Sequence, residues 1–331
     1  MSLERSEYWR LSSFYFFYFA LLGAIAPFLG LFFQSKGFDE VEIGTLMAVL
    51  MGTRIIAPNI WGWLADRSGQ RIRIIRTGSL LTLIIFSAAF WAETFLHWAL
   101  LMFGFSFFWN AVLPQFEAVT LLALGVDQHS YSRVRLWGSI GFIFAVVILG
   151  WLFDWLEIGL LIPVMWGLML LVWLASLCID PPSESRVEGE RLSGLWSIIK
   201  RPPVLNFFAV YLLLQLSHGP YYSFYSIYMS EQGYDKTQIG LLWALGVVAE
   251  VLMFLVMHRL LGWIGLRVMV QLGMAVCALR WLMIALLPDQ LWAFLSGWIW
   301  NQYDGTTMFL FAVSISLLGW LLAWRGIRVG D

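Results

Sequence analysis

Charge is scarce in this sequence. Asp, Glu, Lys and Arg make up 12% of its 331 residues, about half the share a soluble domain carries, which excludes a water-soluble globular fold. Cysteine is nearly absent, which excludes a disulfide scaffold. Cys178 and Cys277 both fall inside apolar runs and read as small buried residues. With four His they show no metal-ligand spacing. No span carries an HExxH, a GxSxG or a paired-aspartate motif, so an enzyme is not expected. A G-x-x-x-x-G-K-[ST] loop is missing too, which removes ATP-driven pumping by this chain. The roughly ten-residue alternating segments of a β-barrel are not found. No cofactor, metal or nucleic acid is expected as a partner.

What is present is apolar sequence. Hydrophobic residues reach 60% and mean hydropathy is +0.78. Runs of 18 or more recur, each long enough at 1.5 Å per residue to cross a ~30 Å hydrocarbon core. The fold class is therefore an all-α polytopic membrane protein. Spans are expected at Leu11–Phe33, Val41–Leu64, Ile74–Trp91, Trp98–Leu124, Leu136–Phe153 and Gly159–Ile179. After a polar link, Asp180–Pro203, they continue at Val204–Met229, Gln238–Leu260, Val268–Leu287 and Thr306–Trp324. The N-terminus mixes Glu4, Arg5, Glu7 and Arg10 before a long apolar run and does not read as a cleavable signal.

Lys and Arg fix the orientation. Arg5 and Arg10, then Arg67, Arg71, Arg73 and Arg76, then Arg133 and Arg135, lie on one side with the link, Arg259, Arg267, Arg325 and Arg328. The opposite loops carry only Lys36 and Lys236 among many acids. N-terminus, link and C-terminus are expected to be cytoplasmic, in a bacterial inner membrane. Residues 1–180 form one bundle of six helices, 181–203 a flexible cytoplasmic linker, and 204–331 a second bundle.

The second bundle repeats the first. At an offset of 196 residues, Gly37, Asp39, Ile43, Gly44, Leu46 and Ala48 fall on Gly233, Asp235, Ile239, Gly240, Leu242 and Ala244. Tyr15, Gly23, Phe28 and Arg71 fall on Tyr211, Gly219, Phe224 and Arg267. A parallel repeat of two bundles is a transporter architecture. Near the end the offset drops to 147: Gly150-Trp151 matches Gly297-Trp298, Glu157 matches Asp304 and Trp173 matches Trp320. The difference of 49 residues places an internal deletion near Phe294–Ser296. Only Leu291–Trp300 would remain of the tenth and eleventh helices, too short to cross. About ten full transmembrane helices are expected, with the second bundle incomplete.

The turn between the second and third spans resembles the signature of the major facilitator superfamily, G-x-x-x-D-R-x-G-R/K-R/K. Gly62, Asp66, Arg67 and Gly69 match, Gln70 departs, and Arg71 and Arg73 supply positive charge. Ser132–Phe142 (SRVRLWGSIGF), Gly246–Val251 (GVVAEV) and His218–Tyr228 resemble the phenylpropionate permease-like branch, which borders the nucleoside–proton symporters. The resemblance implies proton-linked movement of a small organic solute by alternating access. It places the fourth helix on a central cavity. It also latches the signature turn against the eleventh helix, most of which this chain lacks.

An ionisable group inside a span is a functional hypothesis by default. Glu117, three residues after the helix-kinking Pro114, is the first candidate for proton coupling, because a carboxyl in low dielectric resists ionisation. The alternative is a packing carboxylate paired with Arg133 or Arg135. Arg54 and its repeat equivalent Glu250 either bind substrate and protons or anchor helices. Arg54 is the better placed to hold a substrate carboxylate. Arg280, nearer the outer end, reads first as a snorkelling structural residue. In the seventh span Gln215, His218, Tyr222 and Tyr225 share a broad face beside a breakable Gly219-Pro220. They suit an aromatic acid or a nucleoside, or equally simple aromatic packing. Asn110 and Gln115 are polar lining, and Asp66, Arg67 and Arg71 are gating candidates.

The expected function is a proton symporter of a small organic solute, an aromatic carboxylate first and a nucleoside or sugar second. It would act as a monomer in membrane lipid. A solute sensor or a transport-inactive truncated form is the alternative.

Overall fold

The computed structural model describes residues 5–124, 128–180, 197, 199–286 and 313–321. All regular structure among them is helical: α1 (Arg5–Ser35), α2 (Glu40–Ser68), α3 (Arg71–Phe86), α4 (Phe95–Leu124), α5 (Gln128–Trp155), α6 (Leu161–Leu177) and α7 (Pro202–Glu231). A further run, Lys236–Leu286, is broken at Gly265, where φ is +72°. It gives α8 (Lys236–Met257) and α9 (Arg267–Leu286). Residues 313–321 form a last described helix, α10. The expected deletion near Phe294–Ser296 and the segment Leu291–Trp300 lie outside the described residues, as does most of the link.

Eight of the described helices are long and apolar enough to cross a membrane. The 30-residue α7 is long enough but is not among them; the polar row from Gln215 to Tyr228 lowers its hydropathy.

The helix ends explain the repeat. Before α2 the chain turns at Gly37 (φ +85°) and before α8 at Gly233 (φ +89°), a left-handed conformation that glycine adopts without penalty. Asp39 then caps α2: its carboxylate accepts from Glu42 N at 2.8 Å while Glu42 accepts from Asp39 N at 3.1 Å. Asp235 and Gln238 make the same reciprocal pair at 2.7 and 3.0 Å. Each satisfies amides that a helix start leaves without partners. Phe38 N to Phe33 O and Tyr234 N to Met229 O also recur at the 196-residue offset. The shared sequence is thus a shared device for turning the chain and starting a helix. Gly69, which ends α2 with φ +64°, stands at the same offset from Gly265.

The chain divides into two compact units, Met1–Val187 with Asp235–Val248, and Glu188–Tyr234 with Ala249–Asp331. In the first, α1 packs along α5 and α6, α4 along α2 and α3, and α3 along α6. α1 is buried over most of its length, through Phe14, Leu21, Phe28, Phe32 and Phe33. Arg76 of α3 closes the end of α6, donating to Ser176 O, Leu177 O and Ile179 O at 3.2, 3.2 and 2.8 Å. Asp154, at the end of α5, caps α8 by accepting from Lys236 N at 2.8 Å and Thr237 N at 3.0 Å. Large apolar side chains such as Ile84, Phe103, Phe144 and Trp151 stay exposed, as lipid-facing surfaces require.

α1 and α5 approach closely because Gly141 has no side chain. A Cβ there would lie 2.2 Å from Phe16 O. Gly141→Leu is expected to destabilise the first unit by about 2–3 kcal/mol, lowering the thermal midpoint of the purified protein in detergent. An unchanged midpoint would show that this helix pair is free to separate.

In the second unit, Cys277 of α9 bridges Ser217 of α7 at 3.8 Å and Ser316 of α10 at 3.7 Å. Cys277 is buried as expected, whereas Cys178 is exposed because it sits at the C-cap of α6 rather than within the helix.

Candidate functional site

Two side-chain clusters lie inside the membrane-spanning helices, one in each unit. In the first unit, Glu117 of α4 faces Arg135 of α5 at 3.8 Å. Arg135 was expected at a cytoplasmic turn. α5 in fact starts at Gln128, eight residues before the apolar run, so Arg135 stands on its second turn. The guanidinium lies 4.1 Å from the centre of the Phe19 ring and 5.5 Å from that of Tyr15, and such rings favour a cation over their faces. Neither partner is sealed off, with 37% of the Glu117 side chain and 32% of the Arg135 side chain exposed.

The shell around this pair is aromatic and polar. Tyr15 hydroxyl reaches Thr120 Oγ1 at 3.5 Å and Tyr18 donates to Trp109 O at 3.3 Å. Tyr15 meets Phe116 edge-on, and Tyr18 stacks on Trp109. Tyr15 and Tyr18 from α1, Arg54 from α2, and Tyr131 from α5 complete the titratable and charged groups around Glu117 and its neighbours. A carboxylate held loosely by one guanidinium and partly exposed can exchange a proton as its surroundings change.

The two amides of α4 have helix-bridging partners. Asn110 is buried and donates to Thr53 Oγ1 at 2.8 Å and Leu50 O at 3.3 Å; Thr53 in turn donates to Ser106 Oγ at 2.8 Å. This network ties α4 to α2. Gln115, also buried, accepts from Arg71 at 2.7 Å, and Arg71 pairs with Asp66. Arg67 lies 5.4 Å from the centre of the Trp63 ring. The signature turn is thereby joined to α4 two residues from Glu117.

Arg54 is exposed, and its one described polar contact is Met51 Sδ at 3.6 Å. Ile55 and Ile56 beside it are exposed as well. Glu250 is exposed in the second unit, with no ion pair among the described residues.

The second cluster joins α7 to α9. His218 Nδ1 donates to Leu214 O at 2.8 Å, which fixes the neutral tautomer with Nε2 as the acceptor. Its ring meets Trp281 edge-on at 4.9 Å. Tyr221 packs against Tyr222, Tyr225 and Trp281. Arg280 lies over Tyr221 at 4.3 Å and over Trp281 at 5.0 Å. Of the expected α7 residues, Tyr225 is buried, His218 half-buried, Tyr222 marginally exposed and Gln215 exposed. In the sequence Tyr221 stands on the same helix but off the shared face, Trp281 carries no distinguishing signal, and Arg280 reads first as structural. Their convergence depends on which faces of α7 and α9 meet.

The description of the MFS_1 like family matches residues 8–316. The chain belongs to the MFS_1 like family. A probable 3-phenylpropionic acid transporter of Escherichia coli (strain K12) is 33% identical over 276 residues, which cover 81% of this chain and 71% of that one. A maltose permease of Geobacillus stearothermophilus is 27% identical over 292 residues, 84% of this chain and 71% of the other. Among solved structures, the nucleoside transporter NupG superposes with a TM-score of 0.73 at 17% identity, covering 96% of this chain and 80% of that one. That likeness concerns the fold. This MFS_1 like chain is an integral membrane transporter of major-facilitator type, and not an enzyme.

Proposed function

We propose that the chain is a proton-coupled symporter of a small aromatic carboxylate, working by alternating access in a bacterial inner membrane as a monomer with both termini cytoplasmic. The observation that carries the reading is the Glu117–Arg135 pair, a carboxylate and a guanidinium 3.8 Å apart within membrane-spanning helices. Protonation of Glu117 releases Arg135, and deprotonation restores the pair. The energy of the pair therefore differs between the two protonation states, which is what coupling requires. Asp66, Arg67 and Arg71 act as the gating turn, reporting to α4 through Gln115. The aromatic carboxylate is favoured by two features: the aromatic lining of both clusters, and the 33%-identical relative named as a probable 3-phenylpropionic acid transporter. A nucleoside or sugar is the second substrate class, matching other relatives.

A second reading, a form that binds solute but moves it slowly or not at all, is favoured by the repeat. Its offset falls from 196 to 147 residues near Phe294–Ser296, as the loss of most of a tenth and an eleventh helix would produce. In this reading the domains are 1–180, 181–203 and an incomplete 204–331. The E. coli relative is longer in keeping with this: 81% against 71% coverage makes it about a seventh longer. Uptake of a panel of aryl carboxylates, nucleosides and sugars into proteoliposomes under an inward proton gradient tests both readings. Aryl carboxylate accumulation above that in protein-free vesicles supports symport. Saturable binding without accumulation supports the second reading, and accumulation of nucleosides alone would replace the substrate class.

A further inference from the structure

Among the described residues, three ion pairs involve the arginines Arg10, Arg71 and Arg135. Arg280 has no carboxylate partner among them, although it stands inside a membrane-spanning helix. Its Nε is buried and without a hydrogen-bond partner among the described residues. Its guanidinium rests on the Tyr221 and Trp281 rings and hydrogen-bonds the neutral Tyr221 hydroxyl. A guanidinium held this way retains donors in a planar fork, a geometry that matches a carboxylate. A cation in a low-dielectric site without a counter-ion is costly, and a bound anion removes that cost.

The walls specify the rest of the ligand. Tyr221, Tyr222, His218 and Trp281 form a continuous set of rings with neighbouring centroids 4.9–6.2 Å apart. Such rings accept another aromatic ring edge-on or offset. His218, half-buried, presents Nε2 as an acceptor and supplies no competing positive charge while neutral. Arg280 and His218 are half-buried and Tyr222 is exposed, so the cluster is not sealed. Arg54 offers no comparable enclosure, since its neighbours Ile55 and Ile56 are exposed aliphatic side chains.

We propose that Arg280 is the carboxylate-binding residue of this transporter and that Tyr221, Tyr222, His218 and Trp281 hold the aromatic ring of the same ligand. This deepens the aryl carboxylate reading and rests on it for the substrate class, but not on proton coupling by Glu117.

The test is equilibrium binding to the purified full chain in detergent by calorimetry, with 3-phenylpropionate and its neutral amide as probes. The unaltered chain should bind the carboxylate at least ~10-fold more tightly than the amide, the worth of a charge-assisted hydrogen bond or more. Arg280→Met should erase that preference while leaving amide affinity within about 2-fold, and Arg280→Lys should retain part of it. Amide binding by the variants also reports that they are folded. If Arg280→Met keeps the preference while Arg54→Met or Arg135→Met loses it, the assignment is overturned. If the unaltered chain shows no preference for the carboxylate, the assignment and the substrate class fall together. If the preference depends on Arg280 and solute entry carries no proton, the assignment stands and the symport reading falls.

Discussion

With Glu117 replaced by Gln, proteoliposomes under an inward proton gradient should accumulate no more solute than protein-free vesicles do. Glutamine has nearly the shape of the protonated acid and cannot ionise. The variant is therefore fixed in one of the two states that coupling alternates between. Arg135 keeps its seat on Phe19 and Tyr15, so the helix packing survives. Counterflow, which needs only the loaded protein to reorient, should persist near the unaltered rate. An accumulation ratio equal to that of the unaltered chain would remove Glu117 from the mechanism. Loss of counterflow together with accumulation would make it a binding or packing residue. Arg135→Met should be more damaging, since it leaves a carboxylate in the membrane without its partner.

The second large effect concerns what the repeat lacks. Grafting the corresponding 49 residues of the E. coli relative at Phe294–Ser296 should speed uptake at least ~10-fold, because opening and closing of the bundles commonly limits turnover. The signature turn gives the reason. Arg71 is tied to Asp66 and Gln115 within its own unit, and the family resemblance places its latching partner on the eleventh helix. In the reading with an incomplete second bundle, the turn lacks that partner in the closed state. Equal rates for the grafted and ungrafted chains would show that no segment is missing in the functional sense.

The repeated Gly-x-Asp turn could be read in the sequence because it is local. Glycine at positive φ and an aspartate three residues before a Glu or Gln make the same cap wherever they occur, and the structure repeats the bonds at Asp39 and Asp235. Glu117 could be read because an acid among apolar residues stands out. Its partner could not be chosen, because hydropathy ends a span where charge begins. The hydrogen bonds of α5 continue through Arg133 and Arg135 regardless. Asn110 and Gln115 were conspicuous as amides, but sequence does not distinguish an amide facing a cavity from one bridging to Thr53 or Arg71. The period of α7 puts Gln215, His218, Tyr222 and Tyr225 on one broad face, of which Gln215 is exposed and Tyr225 buried. Which of its rings would meet Trp281 and Arg280 depended on the rotation of α9, and no periodicity records that. Tyr221, one position off the expected face, became the residue on which Arg280 rests.

In proton symport, solute and proton cross together. The most direct test is to record external pH and labelled 3-phenylpropionate uptake in the same proteoliposomes, with protein-free vesicles subtracted to remove diffusion of the neutral acid. Symport should give alkalinisation outside in fixed proportion to uptake, lost with Glu117→Gln. Protein-dependent uptake with no change in external pH would contradict it.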